Sequence, residues 1–105
     1  MEIKEMQKKV DKWVKENTPG YWKPANMMLR LTEEVGELAR EINHRYGEKS
    51  KKTSEEKKEI DSEIADVLYT LICIANSMNI DLDDAFDKVL EKYDKRDKER
   101  WAKNS

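Results

Sequence analysis

A single cysteine, Cys73, rules out a disulfide within the chain and leaves no CxxC pair to hold a metal. It lies in an apolar run and reads as a small buried hydrophobe. Histidine also occurs once, at His44, without the partner pattern of a ligand or a base, and reads as a surface residue near a helix end. An excess of one charge is lacking too: 21 basic residues against 23 acidic ones give a formal net charge of -2. No global field therefore draws the chain to nucleic acid or to a membrane surface. The longest stretch without a charge runs only from Val67 to Ile80, short of the roughly 20 apolar residues that a bilayer span requires. The first residues, MEIKEMQKKV, are amphipathic and charged rather than an apolar signal, and a reducing cytoplasm is the expected location.

What the sequence does have is charge and periodicity. Of its 105 residues, 42% are charged and 37% hydrophobic. The mean hydropathy of -1.02 sits at the polar edge of globular proteins, where disorder is the alternative. Periodic apolar residues decide against disorder. Ile3, Met6, Val10, Trp13 and Val14 fall three and four apart, which predicts a first helix to about Lys15. The run Asn17-Thr18-Pro19-Gly20 stops it, and Tyr21, Trp22 and Pro24 occupy the loop. A second helix from near Asn26 carries Met28, Leu31, Val35, Leu38, Ala39, Ile42 and Tyr46 on one stripe and ends at Gly47. Glu48 to Lys52 is a polar linker, after which Thr53 and Glu56 have the spacing of a capping box.

The third helix is striped by Ile60, Ile64, Val67, Leu71, Ile74 and Met78. Its charge-free half, Val67 to Ile80, is expected to be buried on most sides at the centre of the bundle. Asp81 is the expected N-cap of a fourth helix marked by Leu82, Ala85, Phe86, Val89, Leu90 and Tyr93 and continuing toward Trp101. With no strand pattern and no internal repeat, the fold class is all-α: one four-helix domain over residues 1–105. A chain this short buries a modest share of its surface, so completion of the bundle by oligomerisation, as a homodimer or homotetramer, is expected.

Chemistry points to the acids. Glu34 and Glu37 on the second helix, and Glu63 and Asp66 on the third, stand three apart and so lie on neighbouring turns. Two such pairs on facing helices make a four-carboxylate cluster, a donor set suited to a hard divalent ion that keeps water or phosphate oxygens in its other positions. A lone ExxE more often solvates an outer face, but Glu34 and Glu63 lie at the margin of the apolar stripes, and Asp66 opens the charge-free half-helix. The alternative is a structural network in which Lys88, Lys92 or Arg96 pairs with the acids. Gly36, between the glutamates, costs about 1 kcal/mol against alanine and suggests a close approach by a helix or a ligand.

The stretch Glu33-Glu34-Val35-Gly36-Glu37-Leu38 followed by Glu63-Ile64-Ala65-Asp66-Val67-Leu68 resembles the EExxE and ExxD halves of the MazG-like nucleotide pyrophosphohydrolases, in the all-α NTP pyrophosphatase superfamily. The resemblance covers most of the chain. It takes in Tyr21, Pro24 and Asn26, the Asn79-Ile80-Asp81-Leu82 turn and the basic fourth helix. It implies a MazG-like bundle that hydrolyses nucleoside triphosphates to monophosphate and pyrophosphate, clearing damaged or excess nucleotides. Glu34, Glu37, Glu63 and Asp66 would hold magnesium, with manganese as a substitute.

Glu33 and Glu34 are then the carboxylates for positioning or deprotonating water. Lys92 and Arg96 are favoured as a phosphate clamp, against a solvated basic face. Trp22 and Asn26 are the candidates for base recognition, by stacking and hydrogen bonding, whereas Trp13, in the helical stripe, reads as core. Acidic residues interleave with the basic ones of the fourth helix, so nucleic acid is an unsuitable partner. Hydrolysis of phosphoribosyl-ATP and a non-catalytic helical interaction module are the competing readings.

Overall fold

Two hydroxyl and amide side chains end the first helix of the computed structural model, which describes residues 2–46 and 60–103. This helix, α1 (Ile3–Asn17), runs two residues past the expected end. Asn17 Nδ2 donates to the carbonyl of Trp13 at 2.9 Å, and Thr18 donates from both its hydroxyl, at 2.7 Å, and its backbone N–H, at 2.9 Å, to that of Val14. The last carbonyls, which a helix cannot satisfy internally, are thus occupied. Gly20 follows with φ +132°, a backbone geometry that an L side chain strains.

The second helix, α2 (Pro24–Tyr46), starts two residues earlier than Asn26. Proline is well suited to the first helical position, where its missing N–H has no partner to lose. The third and fourth are α3 (Ile60–Ser77) and α4 (Leu82–Lys103), and no strand occurs among the described residues. Gly47, the linker and the Thr53/Glu56 capping box lie outside the described residues.

The turn between α3 and α4 is built locally. Asn79 takes the left-handed conformation at φ 55°, Ile80 N–H donates to the carbonyl of Ala75 at 2.9 Å, and Asn79 N–H to that of Asn76 at 3.2 Å. This is the paired pattern of a Schellman stop. Asp81 Oδ1 then accepts from Asp84 N–H at 3.2 Å, the N-cap read from the sequence.

Packing centres on α3, which is covered by α2 along one flank and by α1 along another. Met27 packs with Cys73 while the acids around Glu37 and Glu63 meet, so α2 and α3 run antiparallel. Val14 joins Met27 and Cys73 in the core, with Val10, Tyr21 and Ile74 against it. Gln7 pins α1 to the far end of α3: its Nε2 donates to Asn76 Oδ1 at 2.9 Å and to the Ile80 carbonyl at 2.8 Å, and its Oε1 accepts from Leu82 N–H at 3.0 Å.

One expectation needs correction. The charge-free half of α3 is buried on one side only: Thr70, Ile72, Cys73 and Ala75 are enclosed, whereas Leu68, Leu71 and Met78 face outward. Two helices cover α3 and the third does not, because α4 packs on α1 and leaves Phe86, Val89, Leu90 and Tyr93 exposed. The Cα radius of gyration, 17.8 Å, exceeds the roughly 13 Å of a closed domain of about this length.

Candidate functional site

The antiparallel pairing of α2 and α3 brings three of the expected acids together. Glu34 and Glu37 from α2 and Glu63 from α3 each offer a carboxylate oxygen, and these oxygens all lie within 4.8 Å of one another. Glu63 is buried at 4 % exposure, Glu34 is half-buried and Glu37 is exposed, so the cluster is a bowl with a closed floor and an open mouth. Burial, and then the charges of Glu37, Asp66 and Glu63, push the Glu34 carboxyl above the usual carboxylate range, while Arg30 pulls the other way.

Two ionised carboxylates at such a separation repel by about 3 kcal/mol at an effective dielectric near 20. A hard divalent cation fits this donor set. Three oxygens approach one point from two rigid helices, and the open side leaves positions for water or phosphate.

Asp66 stands beside this cluster rather than in its tight group. Its charge is felt at Glu34, yet its side chain is exposed and borders a neighbouring pocket. Asp66 shares its stripe of α3 with buried Glu63, Thr70 and Cys73, but at its position the stripe borders the pocket, so the carboxylate is exposed rather than enclosed as expected. Glu33 is exposed on α2, outside the group. No neighbouring helix approaches Gly36, where an added Cβ would meet no described protein atom within 4 Å. His44 lies half-buried in the last turn of α2, outside any acid cluster among the described residues, with Nδ1 enclosed and making no hydrogen bond.

The neighbouring pocket, about 670 Å³, lies between α1, the 18–22 loop, α2 and α3. Its volume is that of a small-molecule site. Trp13 and Tyr69 meet edge to face, 6.5 Å between centroids and 84° between planes, and Trp22 stands across the loop with the Arg30 guanidinium 5.6 Å from its ring. Trp13, expected in the core, is a half-exposed wall here; of its stripe Val14 is buried in the core and Val10 packs partly buried against it. Cys73 closes the floor, and burial pushes its thiol up, which leaves it an inert hydrophobe at neutral pH.

Tyr21 holds the loop in place. Its hydroxyl donates to Asp11 Oδ1 at 2.8 Å and accepts from Asn76 Nδ2 at 3.0 Å. Burial and then the Asp11 carboxylate push its phenol up to about 12. Trp22 thus lines the pocket, whereas Asn26 is exposed in the first turn of α2 and does not.

Lys92 and Arg96 are not brought to the acids within one chain. Both lie on α4, which packs on α1 alone to any extent, and Arg96 is occupied locally by Asp97 at 3.5 Å and by the Tyr93 ring at 4.9 Å. A cation that does border the cluster is Arg30, whose Nε lies 3.7 Å from Glu34 Oε1. Sequence reasoning passed over Arg30, although its position four residues before Glu34 is the spacing of a helical ion pair.

Four similarities to known proteins bear on this arrangement. Residues 23–101 match the MazG nucleotide pyrophosphohydrolase domain. The chain is 52% identical over 101 residues to the uncharacterised protein YpjD of Bacillus subtilis (strain 168), across 96% of this chain and 91% of that one. A crystal structure of Bacillus subtilis YpjD superposes with a TM-score of 0.80 at 50% identity, covering 89% of this chain and 95% of that one. A Bacillus-conserved MazG protein, described as a nucleotide pyrophosphohydrolase, superposes at 0.75 with 48% identity, covering 89% and 90%.

Proposed function

Because the chain belongs to the MazG nucleotide pyrophosphohydrolase family, we propose that it cleaves a nucleoside triphosphate between the α and β phosphates, in a magnesium-dependent reaction. Nucleoside monophosphate and pyrophosphate are the products. The observation that carries this reading is the contiguity of two sites, a carboxylate bowl formed by Glu34, Glu37 and Glu63 and an aromatic pocket that meets it at Asp66. A nucleotide has the same two-part character, a flat base and a polyphosphate.

Glu34, Glu37, Glu63 and Asp66 would hold the ion, with manganese as a substitute. A bound divalent ion supplies neutralisation of the charge that builds on the phosphate oxygens and lowers the pKa of a water. The side chains do the rest. Trp22, with Trp13 and Tyr69, receives the base by stacking, and Asn26 reaches it only by approaching from the rim. Glu34 and Glu33 are the candidate carboxylates for deprotonating or positioning the water, Glu34 from the bowl and Glu33 from the exposed side of α2.

Lys92 and Arg96 serve as a phosphate clamp only if a second copy brings its α4 over the bowl. The exposed Phe86, Val89, Leu90 and Tyr93 on that helix suit such a homodimer or homotetramer of single-domain chains. No described helix is long and apolar enough to cross a membrane, and a cytoplasmic location suits an enzyme that acts on nucleotides.

Incubation with magnesium and a panel of nucleotides, followed by assay of pyrophosphate and monophosphate, tests the proposal. Release of orthophosphate, or no turnover of any nucleotide, refutes it. Turnover of phosphoribosyl-ATP alone would select the competing enzymatic reading.

A further inference from the structure

Beside Asp66, a second side chain stands between the bowl and the aromatic pocket. Arg30 lies one helical turn before Glu34 on α2. Its Nε is 3.7 Å from Glu34 Oε1, its guanidinium lies 5.6 Å from the Trp22 ring, and it lines the pocket that also contains Asp66. We propose that Arg30 is the phosphate-gripping residue of this site, exchanging the Glu34 carboxylate for the phosphate nearest the nucleoside when substrate enters. The inference rests on the reading of the site as a nucleotide pyrophosphohydrolase.

Three observations lead to it. The first is position. A ligand with its base against Trp22 and its phosphate chain toward Glu34 must pass its first phosphate through the seam, and the guanidinium is already there. The second is the looseness of the present pairing. At 3.7 Å the contact with Glu34 is an ion pair rather than a short hydrogen bond, and the arginine side chain is 48% exposed, so leaving it is inexpensive.

The third is chemical. A guanidinium offers five donors in a planar fork that matches two phosphate oxygens, and it stacks on an aromatic face at the same time. Glu34 loses its need for Arg30 once a cation occupies the bowl, and the freed fork then faces the anionic ligand. Lys9, on α1, also lines the pocket, and no ion pair joins it to Glu34 among the described contacts.

The test compares the full-length chain with Arg30→Gln and Arg30→Lys, each checked by circular dichroism. Affinities are measured by calorimetry for inorganic triphosphate, for an α,β-methylene triphosphate and for the corresponding nucleoside, in the presence of magnesium. Magnesium is then titrated alone. The expected result for Arg30→Gln is a loss of about tenfold or more for both phosphate ligands, the worth of a charge-assisted hydrogen bond. Nucleoside binding stays unchanged, and magnesium alone binds up to about fivefold more tightly because Glu34 is no longer shared. Arg30→Lys recovers part of the phosphate affinity, since it keeps the charge and loses the fork.

Phosphate affinity equal to wild type in Arg30→Gln overturns the assignment. So does an equal loss for nucleoside and nucleotide, which would make Arg30 a support for Trp22 alone. So does magnesium binding that weakens in Arg30→Gln. A wild-type chain that binds no triphosphate at all overturns both this inference and the function on which it rests, whereas wild-type turnover with an indifferent Arg30→Gln overturns this inference alone.

Discussion

Replacing Glu34 with glutamine should stabilise the protein in the absence of divalent ions and weaken it in their presence. Glu34 shares a 4.8 Å sphere with Glu37 and Glu63, and its side chain is 15% exposed. Each ionised pair there costs about 3 kcal/mol at an effective dielectric near 20, so the neutral amide removes two repulsions of that order. The gain is smaller in practice. Glu37 is exposed, so solvent screens its charge, and the pairing with Arg30, half exposed and worth at most about 1 kcal/mol, is lost. A net gain of roughly 1 to 2 kcal/mol remains, which for a domain of this size raises Tm by about 4 to 12 °C.

With magnesium the sign reverses. A cation present at a hundredfold excess over its Kd stabilises the wild-type chain by about 2.7 kcal/mol, and Glu34→Gln forfeits most of that. The pH dependence carries the same signature. The Glu34 carboxyl is raised in the folded state, so the folded state binds more protons than the unfolded chain above the usual glutamate range. Stability in EDTA should therefore fall as pH rises out of that range, and Glu34→Gln should flatten the fall. Thermal melts of both proteins in EDTA and in millimolar magnesium, from about pH 4 to pH 8, measure all three effects. If Glu34→Gln melts below wild type in EDTA and gains as much from magnesium as wild type does, the account of three carboxylates converging on one cation is wrong.

Asp66→Asn and Glu63→Gln should each lower the rate of pyrophosphate release by about a hundredfold or more while far-UV circular dichroism stays unchanged; a variant with wild-type turnover removes that residue from the site. Tyr21→Phe deletes a hydroxyl that bonds both Asp11 and Asn76, and should cost about 1 to 3 kcal/mol in denaturant unfolding at neutral pH. Because the Tyr21 phenol is raised to about 12, its stabilisation is full below the ordinary tyrosine value and disappears as pH climbs through about 12. The wild-type chain should lose stability over that interval relative to Tyr21→Phe, and parallel curves would contradict it. Phe86→Asp, on the uncovered face of α4, should shift light-scattering mass to that of one chain, whereas an unaltered mass would place any subunit contact elsewhere.

Helices, stops and the identity of the acids were legible in the linear chain because each is decided within a turn or two. Apolar spacing marks α1 through α4, Asp81 caps its own helix by bonding Asp84, and Glu34 with Glu37 is one turn of one helix. Boundaries shifted by two residues where side chains extended a helix, as Asn17 and Thr18 do for α1, or where Pro24 served as a first helical residue. Those too are local effects, with signals in the sequence.

Only the tertiary structure decided which faces are covered and what meets at the seam. A charge-free run says that α3 avoids water, but α1 and α2 cover one side of it and α4 leaves along α1, so Leu68 and Leu71 stay exposed. The same departure keeps Lys92 and Arg96 from the acids of their own chain. Trp13 and Tyr69 are 56 positions apart in sequence and become one wall through the packing of α1 on α3, and Arg30 acquires its place between Glu34 and Trp22 only when the 18–22 loop folds back over α2. Periodicity within a helix records which residues share a face, while the angle and partner of that face are set by contacts between segments distant in sequence, which no local pattern encodes.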